Sequence, residues 1–360
     1  MLKSRLALTS AKKEESPEAT TAEVGEEEQE QGTEERIGEE ILRLPEYAER
    51  RLNRSEVSGR LSLLGKTAEG DGYTYLKATI TNLNLTEISA IKSFQHLQFL
   101  DVSNNHLQQK ALEVIKDLPF LVLIQADLNL LISAALPRMK YLQVIIMNGN
   151  YLRSVHDVYQ PELSTLEVAD NKIEKIHFEN RMPTIQCLDF RHNLIQDISN
   201  LNFPNLDSLY LAGNRITSLV GVENLVNLRI LHVRGNPIKL LTGFSEANEK
   251  LEYINLRACK VRTLIQVKKL KVLPNLQTLI MNGCPYMGGT GEDDAGGEED
   301  DAGIRVEMLA TLPRLKRINK EAITPEERAE AKDLMVQWLE EGKEDEEELP
   351  EEANEEHEED

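Results

Sequence analysis

The stretch LDSLYLAGNRI, Leu206–Ile216, decides the fold because its pattern recurs along the middle of the chain. Apolar residues occupy positions 1, 4, 6 and 11 of this unit, and a small polar residue occupies position 9. Nine such units begin 21 to 25 residues apart, at Leu97, Leu121, Leu142, Leu163, Ile185, Leu206, Leu228, Leu251 and Leu276. A repeat of this length predicts one strand and one turn per unit, stacked along an axis. We therefore predict an α/β leucine-rich-repeat solenoid, with a curved parallel β-sheet and short helical or 3₁₀ turns on its convex side.

Position 9 is asparagine in the first seven units, at Asn105, Asn129, Asn150, Asn171, Asn193, Asn214 and Asn236. An amide side chain at an inward turn can hydrogen-bond backbone groups that burial would leave without partners. Cys259 and Cys284 take this position in the last two units, and we interpret both as buried structural thiols. The three cysteines form no C-x-x-C pair, which predicts neither a disulfide framework nor a zinc site and favours a reducing compartment.

Other segments flank the repeat array. A degenerate unit from Tyr75 precedes it, and Leu312–Asn319 repeats the apolar spacing once more and is expected to close the stack. The T-P-E-E stretch from Thr324 combines a capping box with proline at the first helical position, which predicts a helix. The predicted segments are a largely disordered acidic arm over 1–54, an N-terminal helical flank with the degenerate repeat over 55–96, nine repeats over 97–287, an acidic glycine-rich loop over 288–303, a C-terminal cap over 304–324, an amphipathic helix over 325–341 and a disordered acidic tail over 342–360.

The charge of −21 belongs to the two ends of the chain. Residues 71–287 carry a net charge of +3, residues 1–70 carry −5 and residues 288–360 carry −19. A phosphate-binding face would act against these anionic segments, so we expect no nucleic-acid partner. The sequence contains no run of 18 apolar residues and its start becomes rich in glutamate too soon for a targeting signal, so we expect neither a membrane partner nor a leader.

The stretch GRLSLLGKT, Gly59–Thr67, resembles a phosphate-binding loop but has the wrong spacing. That motif needs G-x-x-x-x-G-K-[ST], whereas five residues separate Gly59 from Gly65 and no strand is expected before Gly65. The leucines of this stretch instead favour a helix packed over the first repeat. The helix is expected to have Ser55 as its cap and to carry Val57, Leu61 and Leu64.

The rest of the sequence offers no recognised catalytic motif. It contains no H-E-x-x-H sequence, no serine or cysteine in a nucleophile motif, and no EF-hand spacing in its acidic loop. We therefore predict a protein that is not an enzyme and has no cofactor, no metal site and no small-molecule substrate.

The concave face, built from positions 3, 5 and 7 of each unit, is the predicted binding surface. Its early units carry apolar residues where water is expected, and its later units combine arginine with tyrosine, two residue types enriched at binding hot spots. The candidate residues are Phe99, Leu123, Val144, Ile146, Arg191, Tyr210, Arg234, Tyr253 and Arg257. The alternative is that neighbouring strands pack these side chains together without any ligand.

The C-terminal helix offers a second candidate surface. Leu334, Met335, Trp338 and Leu339 are predicted to lie on one side of it. Either this side anchors a partner or it folds back on the last repeat.

GRLSLLGKT, LTEISAIKSFQHLQFLDVSNNHL and ITPEERAEA, together with the number of repeats, resemble the family of leucine-rich repeat-containing protein 23 over residues 55–335. That family belongs to the radial spokes of motile cilia and sperm flagella. The resemblance implies a non-catalytic structural protein of the cytoplasm and cytoskeleton, located in the axoneme, whose partners are other radial-spoke proteins. The chain departs from the family at the acidic insertion Glu292–Asp301 and at its N-terminus.

Two other resemblances remain open. The short repeat with a C-terminal cap is similar to nuclear protein-phosphatase-1 regulators of the leucine-rich type, which hold an enzyme in the concave face. Repeats followed by an acidic tail are similar to the acidic nuclear phosphoprotein 32 family, which handles histones, although that family has fewer repeats and a longer tail.

Overall fold

A computed structural model describes residues 44–67, 70–292 and 301–342 of the chain. Within these residues thirteen strands form one sheet, in which each strand lies beside its neighbour in the sequence. The strands are β1 Leu61–Lys66, β2 Tyr73–Thr79, β3 Phe99–Asp101, β4 Leu123–Gln125, β5 Val144–Ile146, β6 Thr165–Glu167, β7 Cys187–Asp189, β8 Ser208–Tyr210, β9 Ile230–His232, β10 Tyr253–Asn255, β11 Thr278–Ile280, β12 Arg317–Ile318 and β13 Glu321–Ala322. Strands β2 to β12 pair in parallel, which confirms the predicted solenoid.

Helices and 3₁₀ turns occupy some of the connections and the two ends. The helices are α1 Arg54–Ser58, α2 Leu264–Lys268, α3 Ala302–Thr311 and α4 Pro325–Glu341. The 3₁₀ segments are Ser89–Ser93, Gln109–Asp117, Val222–Asn224, Lys269–Val272 and Pro285–Met287. Between β4 and β8 the chain instead returns to the sheet through turns and irregular backbone.

The register of the sheet explains the apolar spacing of the units. Position 4 of every unit pairs with position 4 of the next, as Leu166 does with Leu188 and Leu188 with Leu209. These side chains point into the coil and are completely buried, and so are those at position 6, such as Val168 and Phe190. Strands of three residues thus share one continuous core, because each unit buries its apolar face against the units on either side.

The asparagines at position 9 join one unit to the next. The Asn171 side-chain nitrogen lies 3.0 Å from the carbonyl oxygens of Met147, Val168 and Ala169, and its side-chain oxygen accepts a hydrogen bond from the Leu152 N–H at 3.0 Å. Six further amides repeat this pattern, at Asn105, Asn129, Asn150, Asn193, Asn214 and Asn236. Each one satisfies buried backbone in its own unit and in the preceding one, which confirms the role predicted for position 9.

The two cysteines at position 9 keep part of this arrangement. The thiol of Cys259 donates to the Val233 carbonyl at 3.4 Å, and the thiol of Cys284 donates to the Leu256 carbonyl at 3.1 Å. Both side chains are completely buried. A single S–H donor therefore replaces an amide in the two units nearest the C-terminal end.

The helix predicted from Ser55 through Leu64 is wrong. Helix α1 spans only Arg54–Ser58, and its N-cap is Asn53 and not Ser55. The Asn53 side chain accepts the Glu56 N–H at 2.9 Å, and the Glu56 carboxylate accepts the Asn53 N–H at 3.0 Å. From Leu61 the chain forms β1, which pairs antiparallel with β2. The backbone of β2 offers hydrogen-bonding groups along a sheet edge, and this tertiary pairing overrides the local pattern of leucines.

The same strand gives a better reason to exclude a phosphate loop at Gly65. The expectation that no strand lies there is wrong, since Gly65 pairs with Thr74 and Lys66 with Tyr73. A Cβ atom at Gly65 would lie 2.3 Å from a methyl carbon of Leu76, so the glycine serves close packing of the hairpin. Its backbone is part of a β-ladder, whereas an anion cradle needs free N–H groups.

The C-terminal end closes with more structure than the sequence predicted. Helix α3, which the sequence patterns did not predict, follows its N-cap Asp301. After it, β12 pairs in parallel with β11. Strand β13 then turns back antiparallel on β12, so the hydrogen-bonding pattern of the coil stops there. The predicted N-terminal arm and acidic tail fall largely on 1–43 and 343–360, and half of the predicted acidic loop falls on 293–300; these residues lie outside the described ones.

A buried arginine attaches α4 to this cap. The Arg305 side chain is 6% exposed, and it donates to Glu327 at 2.6 Å and to the Ile318 carbonyl at 3.2 Å. Glu327 also accepts the Thr324 N–H at 2.8 Å, which completes the capping box at the start of α4. One carboxylate thus serves both the start of the helix and its attachment to the cap.

We expect Asn171→Ala to lower the free energy of unfolding by about 3 kcal/mol, because each buried backbone group left without a partner costs about 1–3 kcal/mol. Asn171→Cys should lose less, since a thiol at this position keeps one donor. The measurement is urea unfolding followed by far-ultraviolet circular dichroism. Asn224→Ala, at an exposed position, is the matched control and should change stability by less than about 0.5 kcal/mol; equal losses in the two alanine variants would contradict this account.

The attachment of α4 should weaken in acid. The hydrogen bond from Arg305 lowers the pKa of Glu327 below its ordinary value of 4.5, so the stabilisation is fully present above that pH and is lost as the pH falls through the lower folded value. Trp338, the only tryptophan, reports the position of α4 by its fluorescence. Glu327→Gln should loosen α4 at pH 7, by about 1–3 kcal/mol, and flatten the change in emission between pH 5 and pH 3. Glu326→Gln is the control, and superimposable curves for wild type and Glu327→Gln would refute the coupling.

Candidate protein-binding surface

The parallel register places positions 3 and 5 of successive units in two straight rows on the concave face. The position-3 row continues from β2 and comprises Lys77, Phe99, Leu123, Val144, Thr165, Cys187, Ser208, Ile230, Tyr253, Thr278 and Arg317. The position-5 row comprises Thr79, Asp101, Gln125, Ile146, Glu167, Asp189, Tyr210, His232, Asn255 and Ile280. Neighbours in a row are about 4.8 Å apart although some 22 residues separate them in the sequence.

The apolar candidates form one patch. Phe99 pairs with Leu123 and Leu123 with Val144, so three consecutive strands present apolar side chains in the position-3 row. Ile146 lies two residues after Val144, in the position-5 row. All four side chains are half-buried, with part of each still facing the concave side. We call these four residues the apolar patch.

A polar cluster lies further along the sheet, and it consists of Asp189, Arg191, Tyr210, His232 and Asn255. The guanidinium of Arg191 donates to the Asp189 carboxylate from Nε, at 2.9 Å to Oδ1 and 2.8 Å to Oδ2, and from Nη2, at 2.5 Å to Oδ2. It lies 5.9 Å from the centre of the Tyr210 ring. Asp189 is nearly buried, whereas 44% of the Arg191 side chain is exposed. The fork-like pairing therefore fixes the guanidinium in place while leaving one side of it open.

His232 continues this cluster and was not among the predicted site residues. Its ring lies 6.0 Å from that of Tyr210, and its Nε2 accepts a hydrogen bond from the Asn255 amide at 2.7 Å. Burial lowers the pKa of His232, and the positive charges of Arg191 and Arg234 lower it further, so the imidazole is neutral at pH 7. Because Nε2 accepts, Nδ1 carries the hydrogen; it is buried and has no hydrogen-bond partner among the described residues.

The charge of the concave face changes sign between β6 and β10. Burial, followed by the negative charge of Asp189, raises the pKa of Glu167 on the acidic side. Arg191, Arg234 and Arg257 occupy position 7 of later units and supply the positive side. The structure thus brings Arg191 and Tyr210 into contact, whereas Tyr253 lies in the other row, two strands beyond Tyr210.

The four candidates on α4 do not share one environment. Leu334, Met335 and Trp338 are half-buried and pack against the core, but 54% of Leu339 is exposed. The face of α4 that contacts the cap is centred on the buried Ala331. Since each residue turns a helix by about 100°, Leu339 lies some 80° from that centre, outside the contact. Leu334, Met335 and Trp338 therefore fold back on the end of the solenoid, whereas Leu339 lies at the exposed edge of the predicted side.

The three thiols, of which only Cys187 lies on the concave face, are poor nucleophiles. Burial and the nearby Glu167 raise the pKa of Cys187 to about 11. Burial also raises the pKa of Cys284 to about 12, and it raises that of Cys259. The thiolate is the reactive form, so these values suit packing and not nucleophilic chemistry.

The described residues contain no group of three or more His, Cys, Asp or Glu side chains that could hold a metal ion. In the same residues, no helix combines the length and the apolar character needed to cross a membrane.

Comparisons with known proteins match the repeats and the layout of the chain. The family described as "Leucine Rich Repeat" matches residues 96–118, and that described as "Leucine Rich repeats (2 copies)" matches residues 204–246. Leucine-rich repeat-containing protein 23 of Bos taurus is 37% identical over 76% of this chain and 77% of its own length. The Homo sapiens protein of the same name is 37% identical over 79% of this chain and 80% of its own length. Among solved structures, an internalin of Listeria monocytogenes aligns over 71% of this chain and 92% of that chain, at 16% identity with a TM-score of 0.38.

We expect all three native thiols to react with iodoacetamide at pH 8 at least tenfold more slowly than a cysteine placed on the surface by Asn224→Cys. A free thiol has a pKa of about 8.5 and is partly ionised at this pH, whereas the native thiols are not. Mass spectrometry of peptides from the folded chain gives the rates. Labelling in urea, where all cysteines should react alike, is the control; fast labelling of Cys284 in the folded chain would contradict its structural role.

Proposed function

Since the chain belongs to the family of leucine-rich repeat-containing protein 23, we propose that it is a non-catalytic structural protein of the axonemal radial spoke. In this proposal it binds other spoke proteins and supports ciliary or flagellar motility, and it resides in the cytoskeleton of the cilium. The resemblance to a radial-spoke family, carried by the flanking stretches as well as the repeats, supports this location. The repeats themselves support a protein that interacts with other proteins.

The observation that carries the binding role is the ordered concave face. The apolar patch and the polar cluster lie on one rigid sheet, where hydrogen bonds hold Arg191 in a single orientation. A surface ordered before binding loses little conformational freedom when a partner docks. Tyrosine and arginine beside an apolar patch supply the residue types that dominate binding energy at protein interfaces.

The spacing of the titratable groups supports a non-catalytic role. Glu167 has a raised pKa and His232 a lowered pKa, which is a pattern that acid–base catalysis can use. They belong to β6 and β9, however, and three strand spacings separate these strands by about 14 Å. Groups this far apart cannot share a proton through a hydrogen bond or one bridging water.

Helix α4 supports a second contact. Its inner residues Met335 and Trp338 pack on the cap, whereas Val336 and Leu339 are 51% and 54% exposed. An apolar pair on the outer side of a capped helix suits a further spoke protein docking there.

The test is capture of spoke proteins from salt-extracted axonemes by the purified chain. Tyr210→Ala combined with Arg234→Glu should reduce capture at least tenfold and leave the circular dichroism spectrum unchanged, because it alters the concave face and not the core. The matched control is Tyr151→Ala with Arg215→Glu, which makes the same exchanges at position 10 of two units, outside the concave rows.

Two outcomes would contradict the proposal. The first is unchanged capture by the concave-face variant. The second is failure of the chain to co-sediment with salt-washed axonemes while it co-purifies with protein phosphatase 1 or with histones, which would favour one of the two alternative families.

A further inference from the structure

A cavity of about 270 Å³ lies where the last repeat, the cap and α4 meet. Its lining comes from the 3₁₀ turn Lys269–Val272, the end of α3 and the inner face of α4. The deep side chains are apolar and include Leu273, Leu276, Leu312, Met335 and Trp338. The cavity is separate from the concave face, because it opens beside the convex turn between β10 and β11.

The mouth of the cavity is cationic. Lys268, Lys271 and Arg314 line it, and the described lining residues include no carboxylate. Arg314 donates to the Pro274 carbonyl at 3.0 Å, and this hydrogen bond holds its guanidinium beside the opening. The positive charges of Lys271 and Arg314 beside an apolar interior attract an anionic ligand with an apolar centre.

The volume of the cavity favours a single large side chain over an enclosed small molecule. Cavities that enclose small molecules and cofactors usually measure about 300–1,000 Å³, and this one falls just below that range. It suits one large side chain entering from a chain that lies across the mouth. Single apolar anchors of this type carry much of the energy in protein interfaces.

We propose that this cavity binds an acidic peptide segment of another protein, with one large apolar side chain inserted between Leu276, Met335 and Trp338. The flanking carboxylates of that segment pair with Lys271 and Arg314. The proposal rests on the proposed scaffold function in one respect, namely that the chain binds proteins, and it adds the chemistry of a second partner site. The chain's own stretch EEELPEE over 346–352 has a similar composition and is a competing occupant that the test must separate.

The test uses the full chain and the fluorescence of Trp338, the only tryptophan, which lines the cavity. The probe is a synthetic peptide with one phenylalanine between two runs of three glutamates and Gly-Ser at each end. Phenylalanine does not emit in the tryptophan band, so a shift in emission reports binding beside Trp338. Control peptides replace the phenylalanine by alanine or all glutamates by lysines.

The acidic phenylalanine peptide should bind saturably, and both control peptides should bind at least tenfold more weakly. Lys271→Glu with Arg314→Glu should weaken binding at least tenfold, because it reverses the charge of the mouth. The matched control, Lys239→Glu with Arg215→Glu at exposed positions elsewhere, should leave binding unchanged. No shift in emission, equal binding of the lysine peptide, or full binding by the mouth variant would overturn the proposal.

Leu349→Ser separates the competing occupant. If this substitution alone changes the emission of the free chain and raises peptide affinity tenfold or more, the chain's own acidic stretch fills the cavity and the assignment to a partner is overturned. If the chain captures no spoke proteins from axonemes but still binds the acidic phenylalanine peptide, the radial-spoke proposal is contradicted and the peptide site is not. If the chain captures spoke proteins but does not bind the peptide, the peptide site is contradicted and the radial-spoke proposal is not.

Discussion

The structure depends on the satisfaction of backbone groups inside a coil that turns every 21 to 25 residues. Each inward turn buries carbonyl and N–H groups that neither a helix nor a strand can pair. In seven of the nine units a single asparagine meets this need, and its contacts reach both its own unit and the one before, as Asn171 reaches Val168 and Met147. The same hydrogen bonds therefore close each turn and join it to its neighbour, so they set the spacing at which strands stack.

This stacking creates the concave face. Once units repeat in register, residues at equivalent positions must line up across the sheet, whatever side chains they carry. Arg191, Tyr210 and His232 meet for that reason, although the chain makes a full turn between successive members of the group. The core then holds them on short strands that cannot shift independently, and contacts such as the Asp189–Arg191 pair restrict them further. Rigidity of the scaffold is thus the physical basis for a preformed binding surface.

A coil of this kind must cover its core at both ends, and its two ends do so differently. At the N-terminal end an antiparallel hairpin, β1 and β2, adds to the first parallel strand. At the C-terminal end α3 and the short β12–β13 pair cover the last unit, and the buried Arg305 then holds α4 through Glu327. The C-terminal end leaves a cavity between the last repeat, the cap and α4, where cationic side chains lie close to apolar ones.

The sequence by itself determined the features that depend on short-range periodicity. The apolar positions 4 and 6, the asparagines at position 9 and the T-P-E-E start of α4 are local patterns, because each constrains residues within one unit or one helical turn. The candidate surface followed from the same periodicity, which places Phe99 beside Leu123 and Tyr210 beside the Arg191 unit. Only the tertiary structure decided the features in which a contact with a distant part of the chain overrides the local sequence pattern. Leu61–Lys66 became a strand because β2 presented an edge, and Leu339 stayed exposed because the cap contacts another arc of α4. The His232 ring accepts a hydrogen bond at Nε2 because Asn255 on the next strand donates to it. Such outcomes depend on contacts between residues far apart in the chain, which a local pattern does not contain.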